Sequence, residues 1–389
     1  MEKEKAREMV EYRRKLIRDA DSFKKTDRVP FYTNSSLWHY HDAGYSANEV
    51  CRSYELNKIC QVGHIRKYDP DMIITGNRNP FPVKDSLGKS SAYIETESGL
   101  NSINEEFLDA DDYKQIAAGN YDKVMWEHGV FHKFQNAANM TAREFAQASR
   151  VLKEWDEGMA YVSSAVYGEG VLELTDARHF CCIFFETLFN CSRGIKALSI
   201  DLRRRPKEVE EACDYMNKVQ FDPIFEDLDT LPYGGDLTKC FDTFSNLLGH
   251  TILNQKQFDI FMARPYGKLL EKVEEKGMSW FNFSEATWMR FADFFGQYKK
   301  GTVSMMVEMD DIFEMRKKHP NIALWGGLSV DTLGHGTPEE CVDQAKRAIE
   351  ELSGDGGLVL MPNKMLSYPY DCLSENLKAV SDYVHTYSK

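Results

Sequence analysis

The chain has 389 residues, 42% of them hydrophobic and 28% charged, and its 48 Lys and Arg residues against 61 Asp and Glu residues give a net charge of -13 at pH 7. This apolar content suffices for a large core and excludes wholesale disorder. The acidic balance disfavours nucleic acid and anionic membrane surfaces as partners, because both are bound through basic patches.

The cysteines and the hydropathy pattern indicate in which cellular compartment the protein works. The nine Cys residues are scattered without a Cys-x-x-Cys pair, so neither a disulfide framework nor a zinc knuckle is expected. No run approaches the roughly 18 apolar residues that a membrane-spanning helix needs. We therefore expect a soluble protein that works in a reducing cytoplasm.

The first 150 residues carry a weak pattern. The charged start has helical spacing, which predicts an N-terminal helix over 1–25. Short buried strands are predicted at 27–32 and 71–75, with a helix from 45 toward 66 between them. Residues 76–150 are rich in Asn, Asp and Gly and predict an irregular insertion with one helix after 141.

Beyond 156, strands and helices alternate with short loops, which is typical of a parallel sheet. We predict a single domain over 1–389 that forms a (β/α)8 barrel with an enlarged N-terminal region. An open doubly wound sheet is the alternative, although no Gly-x-Gly-x-x-Gly follows a strand. The predicted strands are 158–163, 277–283, 302–307, 321–325 and 357–361, and the predicted helices are 176–190, 206–218, 289–295, 310–319, 338–352 and 374–383.

In such a barrel the chemistry lies at the carboxyl ends of the strands. Carboxylates and amides dominate the residues that follow the predicted strands. Glu285 ends one strand and Glu308 the next, and either could act as an acid or as a structural rim carboxylate. Further candidates at these ends are Asn34, Trp38, His39, Asn77 and Asn282.

Three segments in the second half resemble the uroporphyrinogen decarboxylase superfamily. They are Ser-Arg-Gly-Ile-Lys at 192–196, the run from Asn-Ile-Ala-Leu-Trp-Gly-Gly to Thr-Pro-Glu-Glu at 321–340, and Gly-Gly-Leu-Val-Leu-Met-Pro at 356–362. With weaker matches upstream, the resemblance spans about 28–385 and points to a decarboxylase-like branch close to corrinoid-dependent methyltransferases. It implies a (β/α)8 barrel and a homodimer.

The resemblance leaves several chemistries to weigh. The decarboxylase branch uses an arginine-containing segment after the first strand, whereas the stretch 32–40 here has no Arg and therefore suits a polyanionic tetrapyrrole poorly. The branch that binds zinc through His and Cys is matched here by Asn282, Ser284 and Asn363, so its soft ligands are missing. A divalent metal such as zinc, held by Glu285, Glu308 or a histidine, stays open, and the sequence fixes no metal ligand.

The remaining branch implies a methyltransferase that passes a methyl group from a small methylated substrate, such as an aryl methyl ether or a methylamine, to a corrinoid on a separate protein. We favour the aryl methyl ether, with Glu285 or Glu308 as the acid on the departing oxygen. His39 is a candidate for proton transfer or ligation. Asn34, Asn77 and Asn282 are candidate substrate contacts, and Trp38, Phe81, Trp280 and Trp325 are candidate walls of a slot for a flat ring. A decarboxylase of a smaller acid and a non-catalytic binding barrel are the alternatives.

Overall fold

The computed structural model describes residues 2–75, 81–88, 93–96, 99–102, 107–130, 134 and 136–387. Parallel strands form the centre of this structure. Side chains inside some of the described elements, including those of 81, 83, 84, 93–96 and 99–102, lie outside this description. The strands of the described residues are β1 (Met72–Ile73), β2 (Tyr93–Thr96), β3 (Gly99–Ser102), β4 (Leu172–Glu173), β5 (Ala177–Phe180), β6 (Phe241–Leu247), β7 (Trp280–Ser284), β8 (Val303–Met306), β9 (Ala323–Leu328) and β10 (Leu358–Pro362).

The strand pairings run round a ring. Strands β5 to β10 form one parallel sheet in chain order. On the other side Phe31 pairs with Leu360 of β10, Tyr32 pairs with Met72 of β1, and β1 pairs with β4, all in parallel. Only three residues of chain separate β4, which pairs with β1, from β5, which pairs with β6, so the two form one strand position and the pairings return to the sheet. The ring then has eight strand positions, which are 31–32, β1, β4 with β5, and β6 to β10. The (β/α)8 barrel predicted from the sequence is confirmed, with β2 and β3 as a separate antiparallel hairpin.

Helices surround the ring. The helix at 338–352 has the predicted bounds, because Thr337 and Glu340 form a capping box around a proline at the first turn. The described α-helices are Lys3–Asp21, Trp38–Asp42, Ala47–Val50, Tyr54–Tyr68, Phe81–Leu87, Asp112–Ala117, Tyr121–Val124, Ala142–Gly168, Phe184–Thr187, Ile195–Arg204, Pro206–Thr230, Gln255–Phe258, Arg264–Glu275, Ala292–Gly296, Ile312–Lys318, Val330–His335, Pro338–Leu352 and Ser374–Thr386. No helix in the described part of the chain is long and apolar enough to cross a membrane.

Two predicted elements are wrong, and they adjoin each other. The predicted strand 158–163 lies inside the helix Ala142–Gly168, which a capping box of Thr141 and Glu144 begins. The predicted helix 176–190 begins instead as strand β5 and continues as a short helix and a π-helical turn at Leu188–Ser192. Both segments are short apolar runs, in which periodicity alone does not separate a buried strand from a buried helix.

Aromatic side chains fill the interior of the ring. Phe281 lies between Phe241 and Trp325, with ring centroids 4.7 and 4.4 Å away, and all three are fully buried. The indole N–H of Trp325 donates to Asp21 at 2.8 Å, at the end of the N-terminal helix. The amino ends of the strands are thus closed by packed rings and by this helix, which leaves their carboxyl ends as the accessible side.

The N-terminal helix Lys3–Asp21 is attached to the barrel by ion pairs. Its arginines reach buried carboxylates that lie beside or on different strands: Arg13 pairs with Asp71 at 3.3 Å, Arg14 with Asp176 at 3.1 Å, and Arg18 with Asp242 at 3.3 Å. Each carboxylate is at most 3% exposed, so losing one of these partners would leave a charge in the interior.

Candidate active site

A cleft of about 670 Å³ opens where strands β5, β6 and β7 end. Its volume is in the range of pockets that bind small molecules. One wall comes from the strand ends and the segment after β5, and the opposite wall comes from the helix Pro206–Thr230. The lining residues are Phe180, Cys182, Glu186, Thr187, Asn190, Cys191, Gln220, Phe221, Ile224, Asn246 and Glu285.

Glu186 is a buried carboxyl at the base of this cleft and is only 1% exposed. It accepts hydrogen bonds from the backbone N–H groups of Leu248 at 3.0 Å and Gly249 at 2.9 Å, and from the side-chain amide of Asn190 at 3.0 Å. Burial raises the pKa of Glu186 to about 8, and the nearby Glu285 adds to this, although the three donors oppose it. The group therefore holds a proton near neutral pH.

A glycine permits this contact. A Cβ on Gly249 would lie 3.0 Å from the Phe185 ring and 3.3 Å from Glu186 Oε1, which is tighter than ordinary packing. The backbone of Gly249 can therefore approach the carboxyl closely enough to donate to both of its oxygens, at 2.9 and 3.0 Å.

Glu285 is the predicted catalytic residue that the structure brings to the cleft. It directly follows β7, and its backbone N–H donates to Leu247 O at the end of β6 at 3.0 Å. Its side chain is half-buried, lines the cleft and interacts electrostatically with Glu186. Two carboxyl groups with different burial thus share one small volume, which is an arrangement suited to one protonated and one ionised group.

Glu308, the second predicted acid, supports the loop that carries Glu285. Its carboxylate accepts the backbone N–H of Ala286, which has a left-handed φ of 63°. Asp310 accepts the backbone N–H groups of Trp288 and Met289. Glu308 also lines a separate, smaller cavity of about 220 Å³ rather than the cleft. The structure therefore gives Glu308 and Asp310 a positioning contact with the loop after β7.

The tryptophans predicted to line a slot do not line this cleft. Trp325 is in the barrel interior, as described above. Trp280 points toward the helices, where its N–H donates to Ser245 Oγ at 2.7 Å and its ring packs on Tyr266. Trp38 is 2% exposed and donates to Cys372 O at 2.8 Å. The aromatic residues that do line the cleft are Phe180 and Phe221.

The predicted polar contacts in the first half of the chain are also away from the cleft. Asn34 is fully buried, with its amide bonded to the Tyr32 hydroxyl at 3.1 Å and Pro362 O at 3.3 Å. His39 is 1% exposed, 3.0 Å from Ser35 Oγ, and its ring lies 5.5 Å from that of His64. Burial lowers the pKa of His39, so it is neutral. Asn77 lies outside the described residues, as does the side chain of Phe81.

Asn282 occupies a position where the zinc-binding branch has a soft ligand. It is fully buried beside Ser245 in the β6–β7 register, and neither atom of its amide has a hydrogen-bond partner in the described structure. Ser284 donates to Met306 O at 2.7 Å, and Asn363 donates to Glu308 O at 2.9 Å. These groups are occupied by protein contacts or lack thiolates, so they do not fit a zinc site.

A possible cation site exists apart from the cleft. Asp109, Asp112 and His128 place ligand atoms within 4.8 Å of one another. Among the described residues, this is the group of three or more His, Cys, Asp or Glu side chains that could hold a metal ion. His128 Nδ1 lies 2.9 Å from Asp112 Oδ2, which also accepts the backbone N–H of Asp109. Hydrogen bonds within the group account for this geometry without an ion.

Sequence reasoning missed Glu186 and Phe180. Phe180 begins the apolar run 180–185, and Glu186 directly follows that run. The run was predicted to be part of one buried helix, so the end of strand β5 at Phe180 was not recognised. A signal was present, because residues at and soon after the end of a barrel strand lie on the active-site face. Recognising β5 would have led to both residues.

Comparison with known proteins agrees with this fold. A solved structure described as a methyltransferase from Methanosarcina mazei matches with a TM-score of 0.59 and 12% sequence identity, over 97% of this chain and 98% of that chain. At that identity the likeness shows the fold alone. A search of curated proteins found no match. The family model for uroporphyrinogen decarboxylase (URO-D) matches residues 187–387, which is just over half of the chain and includes the cleft-lining strand ends of β6 and β7. This chain therefore belongs to the uroporphyrinogen decarboxylase family.

Proposed function

We propose that this protein is a methyltransferase that removes a methyl group from a small methylated substrate in the cleft and passes it to a corrinoid on a separate protein. The observation that carries this proposal is the charge of the cleft. No Lys, Arg or His is among the described residues that line it. Decarboxylation of a tetrapyrrole would require cations to hold many carboxylates, so this cleft favours the methyl-transfer branch of the family.

The carboxyl pair supplies the chemistry that a methyl donor needs. When a methyl group leaves an ether oxygen, that oxygen must gain a proton or remain an unfavourable anion. Glu186 keeps its proton to about pH 8 and lies in the same cleft as Glu285, so the pair can hold a proton beside the departing atom. For an aryl methyl ether, the donor favoured by the sequence, this proton would complete the departing phenol.

The size of the cleft supports a separate methyl acceptor. A volume of about 670 Å³ suits a small substrate and leaves no room for a corrinoid macrocycle beside it. The acceptor must therefore approach from outside, at the carboxyl ends of the strands. The exposed ring of Phe180, 54% accessible, lies on this side.

Single-turnover assays test the proposal. The purified chain would be mixed with reduced cobalamin and one methyl donor at a time, including methoxylated aromatics and methylated amines, and the methylcobalamin spectrum would be followed. We expect methyl transfer with one donor class and at least about a tenfold lower rate for Glu285→Gln. Transfer by no donor class, with either free cobalamin or a corrinoid protein, would overturn the proposal.

A further inference from the structure

Resting on the proposed methyl transfer, we infer that His250 is a positioning residue that holds Glu186 and Glu285 at a fixed separation in the cleft. His250 lies in the 3-10 turn Gly249–Ile252 after β6 and contacts the loop after β7. It therefore joins the segment that donates hydrogen bonds to Glu186 to the segment that carries Glu285. This role goes beyond the proposed function, in which His250 has no part.

The first link runs from His250 to Glu186 through the backbone. Gly249, which directly precedes His250, donates its N–H to both carboxyl oxygens of Glu186, at 2.9 and 3.0 Å. His250 itself is only 1% exposed, so its ring is enclosed by protein. Since planar peptide bonds leave only two soft torsions per residue, fixing His250 restrains the Gly249 N–H that Glu186 accepts.

The second link runs from His250 to Glu285 through Trp288. The imidazole stacks on the Trp288 indole, with the ring centroids 3.6 Å apart and the planes inclined by 26°, and both side chains are 1% exposed. The indole N–H of Trp288 donates to the backbone oxygen of Glu285 at 2.9 Å. His250 thus supports, through one ring, the backbone from which the Glu285 side chain projects.

Hydrogen bonds fix His250 between the two loops. Its Nε2 lies 2.9 Å from Thr287 O, and Arg290 donates to His250 O at 2.8 Å. Because a carbonyl oxygen only accepts, Nε2 carries the proton. Burial lowers the pKa of His250 to about 4, so the ring is neutral at pH 7 and keeps this tautomer. Nδ1 has no hydrogen-bond partner among the described residues, so the ring is oriented by the Nε2 contact and by the stack.

The loop after β7 needs this support because its backbone is strained. Ala286, next to Glu285, has a left-handed φ of 63°, which residues other than glycine rarely adopt. Glu308 holds this loop from the β8 side, and His250 holds it from the β6 side. Without either support the loop can relax and carry Glu285 away from Glu186. A displacement of about 1 Å is enough to slow a reaction that depends on precisely placed groups.

Two substitutions of His250 test its role in methyl transfer. His250→Gln keeps a planar amide against the indole and an N–H near the place of Nε2, whereas the shorter His250→Asn places its N–H near Nδ1, out of reach of Thr287 O. We expect His250→Gln to keep the rate at saturating donor within about threefold of the wild type and His250→Asn to lose at least about tenfold. The donor concentration for half of the maximal rate should change less than about threefold in both variants, because His250 does not line the cleft.

The matched control is His335→Asn, which makes the same change at an exposed histidine at the end of the helix Val330–His335. It should change the rate less than about twofold. Equal rates in His250→Gln and His250→Asn would contradict the positioning role, because they would show that the Nε2 contact is not needed. A loss that appears only in the donor concentration for half of the maximal rate would contradict it as well.

Amide hydrogen exchange tests the link without a methyl donor or a corrinoid. In His250→Asn we expect at least about tenfold faster exchange at Gly249 and Trp288, the amides on the two sides of the link. Exchange at Leu360 on β10, whose N–H donates to Pro30 O at 2.9 Å, should stay unchanged. Unchanged exchange at Gly249 and Trp288 would overturn the inference, and so would equal acceleration at Leu360, since that would be a general loss of stability.

The outcome stays distinct from that of the proposed function. A wild type that transfers no methyl group, with the expected local change of exchange in His250→Asn, would overturn the methyltransferase and keep the link between the loops. Methyl transfer by the wild type, with an equal rate in His250→Asn, would keep the methyltransferase and overturn the positioning role.

Discussion

The Glu308 carboxylate accepts the backbone N–H of Ala286, the residue that directly follows Glu285. Asp310 holds the next part of the same loop through Trp288 and Met289. The loop after β8 therefore fixes the loop after β7, and the position of Glu285 in the cleft depends on a carboxylate from a neighbouring strand.

Removing that support should release the loop. In Glu308→Ala we expect faster amide hydrogen exchange at Ala286 and, because Glu285 loses its fixed position, at least about a tenfold lower rate of methyl transfer. Asp311→Ala is the control, since its carboxylate instead caps the helix Ile312–Lys318 through Phe313 and Glu314. That variant should lose about 1 kcal/mol of stability and keep the exchange rate of Ala286. Unchanged exchange at Ala286 in Glu308→Ala would count against a positioning role.

The burial of Glu186 should appear in the pH dependence of stability. Its pKa is about 8 in the folded protein and 4.5 for an unperturbed glutamate, so between these pH values the folded state binds one more proton than the unfolded state. The contribution of Glu186 to stability is therefore full below about pH 4.5 and is lost as the pH rises toward 8, by at most about 1.4 kcal/mol per pH unit. The titratable groups Glu285, Cys182 and Tyr266 interact with it.

Urea unfolding of the wild type and of Glu186→Gln from pH 5 to 8.5 measures this effect. The free energy of unfolding of the wild type should fall relative to that of the variant as the pH rises. Curves that stay parallel over the whole range would mean that Glu186 titrates normally.

Phe180 and Phe244 are in contact but should behave differently when truncated. Phe244→Ala removes a ring that is 2% exposed and should cost about 3–5 kcal/mol of stability. Phe180→Ala removes a ring that is 54% exposed and lines the cleft, so it should cost under about 1 kcal/mol of stability and slow methyl transfer several-fold. Thermal unfolding and single-turnover methyl transfer by the two variants check this. A stable Phe180→Ala protein with an unchanged transfer rate would exclude the ring from the site.

Trp325→Phe should affect stability and leave ligand binding unchanged. The substitution removes the N–H donor to Asp21 and should cost about 1–3 kcal/mol. Burial raises the pKa of Asp21 to about 7, and the Trp325 hydrogen bond lowers it, so losing that bond disfavours the ionised form and the cost should be larger at pH 8 than at pH 6. Trp126→Phe, at a site 56% exposed, is the control. An altered affinity in Trp325→Phe would place this ring at the ligand after all.

The sequence predicted the second half of the barrel well and the first half poorly, for a physical reason. Strands β7 to β10 lie within a few residues of their predicted bounds because each is a short, almost completely buried run of mostly apolar residues. Strand β6 was not predicted, since its Asp242, Thr243 and Ser245 are polar although fully buried. Their partners, such as Arg18 for Asp242 and Cys181 O for Ser245, come from distant parts of the chain and leave no local pattern.

The same limit applied to the site. Glu285 was predicted as a site candidate because the end of a barrel strand can be recognised from the local sequence pattern and the fold topology alone. Predicting the role of Glu186 would have required knowing that Leu248 and Gly249, which lie 62 and 63 positions later, donate hydrogen bonds to its carboxyl group. The sequence could not show whether the tryptophans face this cleft, because strand alternation indicates that a side chain is buried without showing which face of the sheet it occupies.

The N-terminal helix has a consequence for how the chain is made. It is translated before its partners Asp71, Asp176 and Asp242, and Trp325 is 304 positions beyond Asp21. Until the seventh strand of the ring has been synthesised, the helix lacks the indole that completes its contact. This helix is thus translated before most of the barrel and completes its contacts only when strands late in the chain have formed.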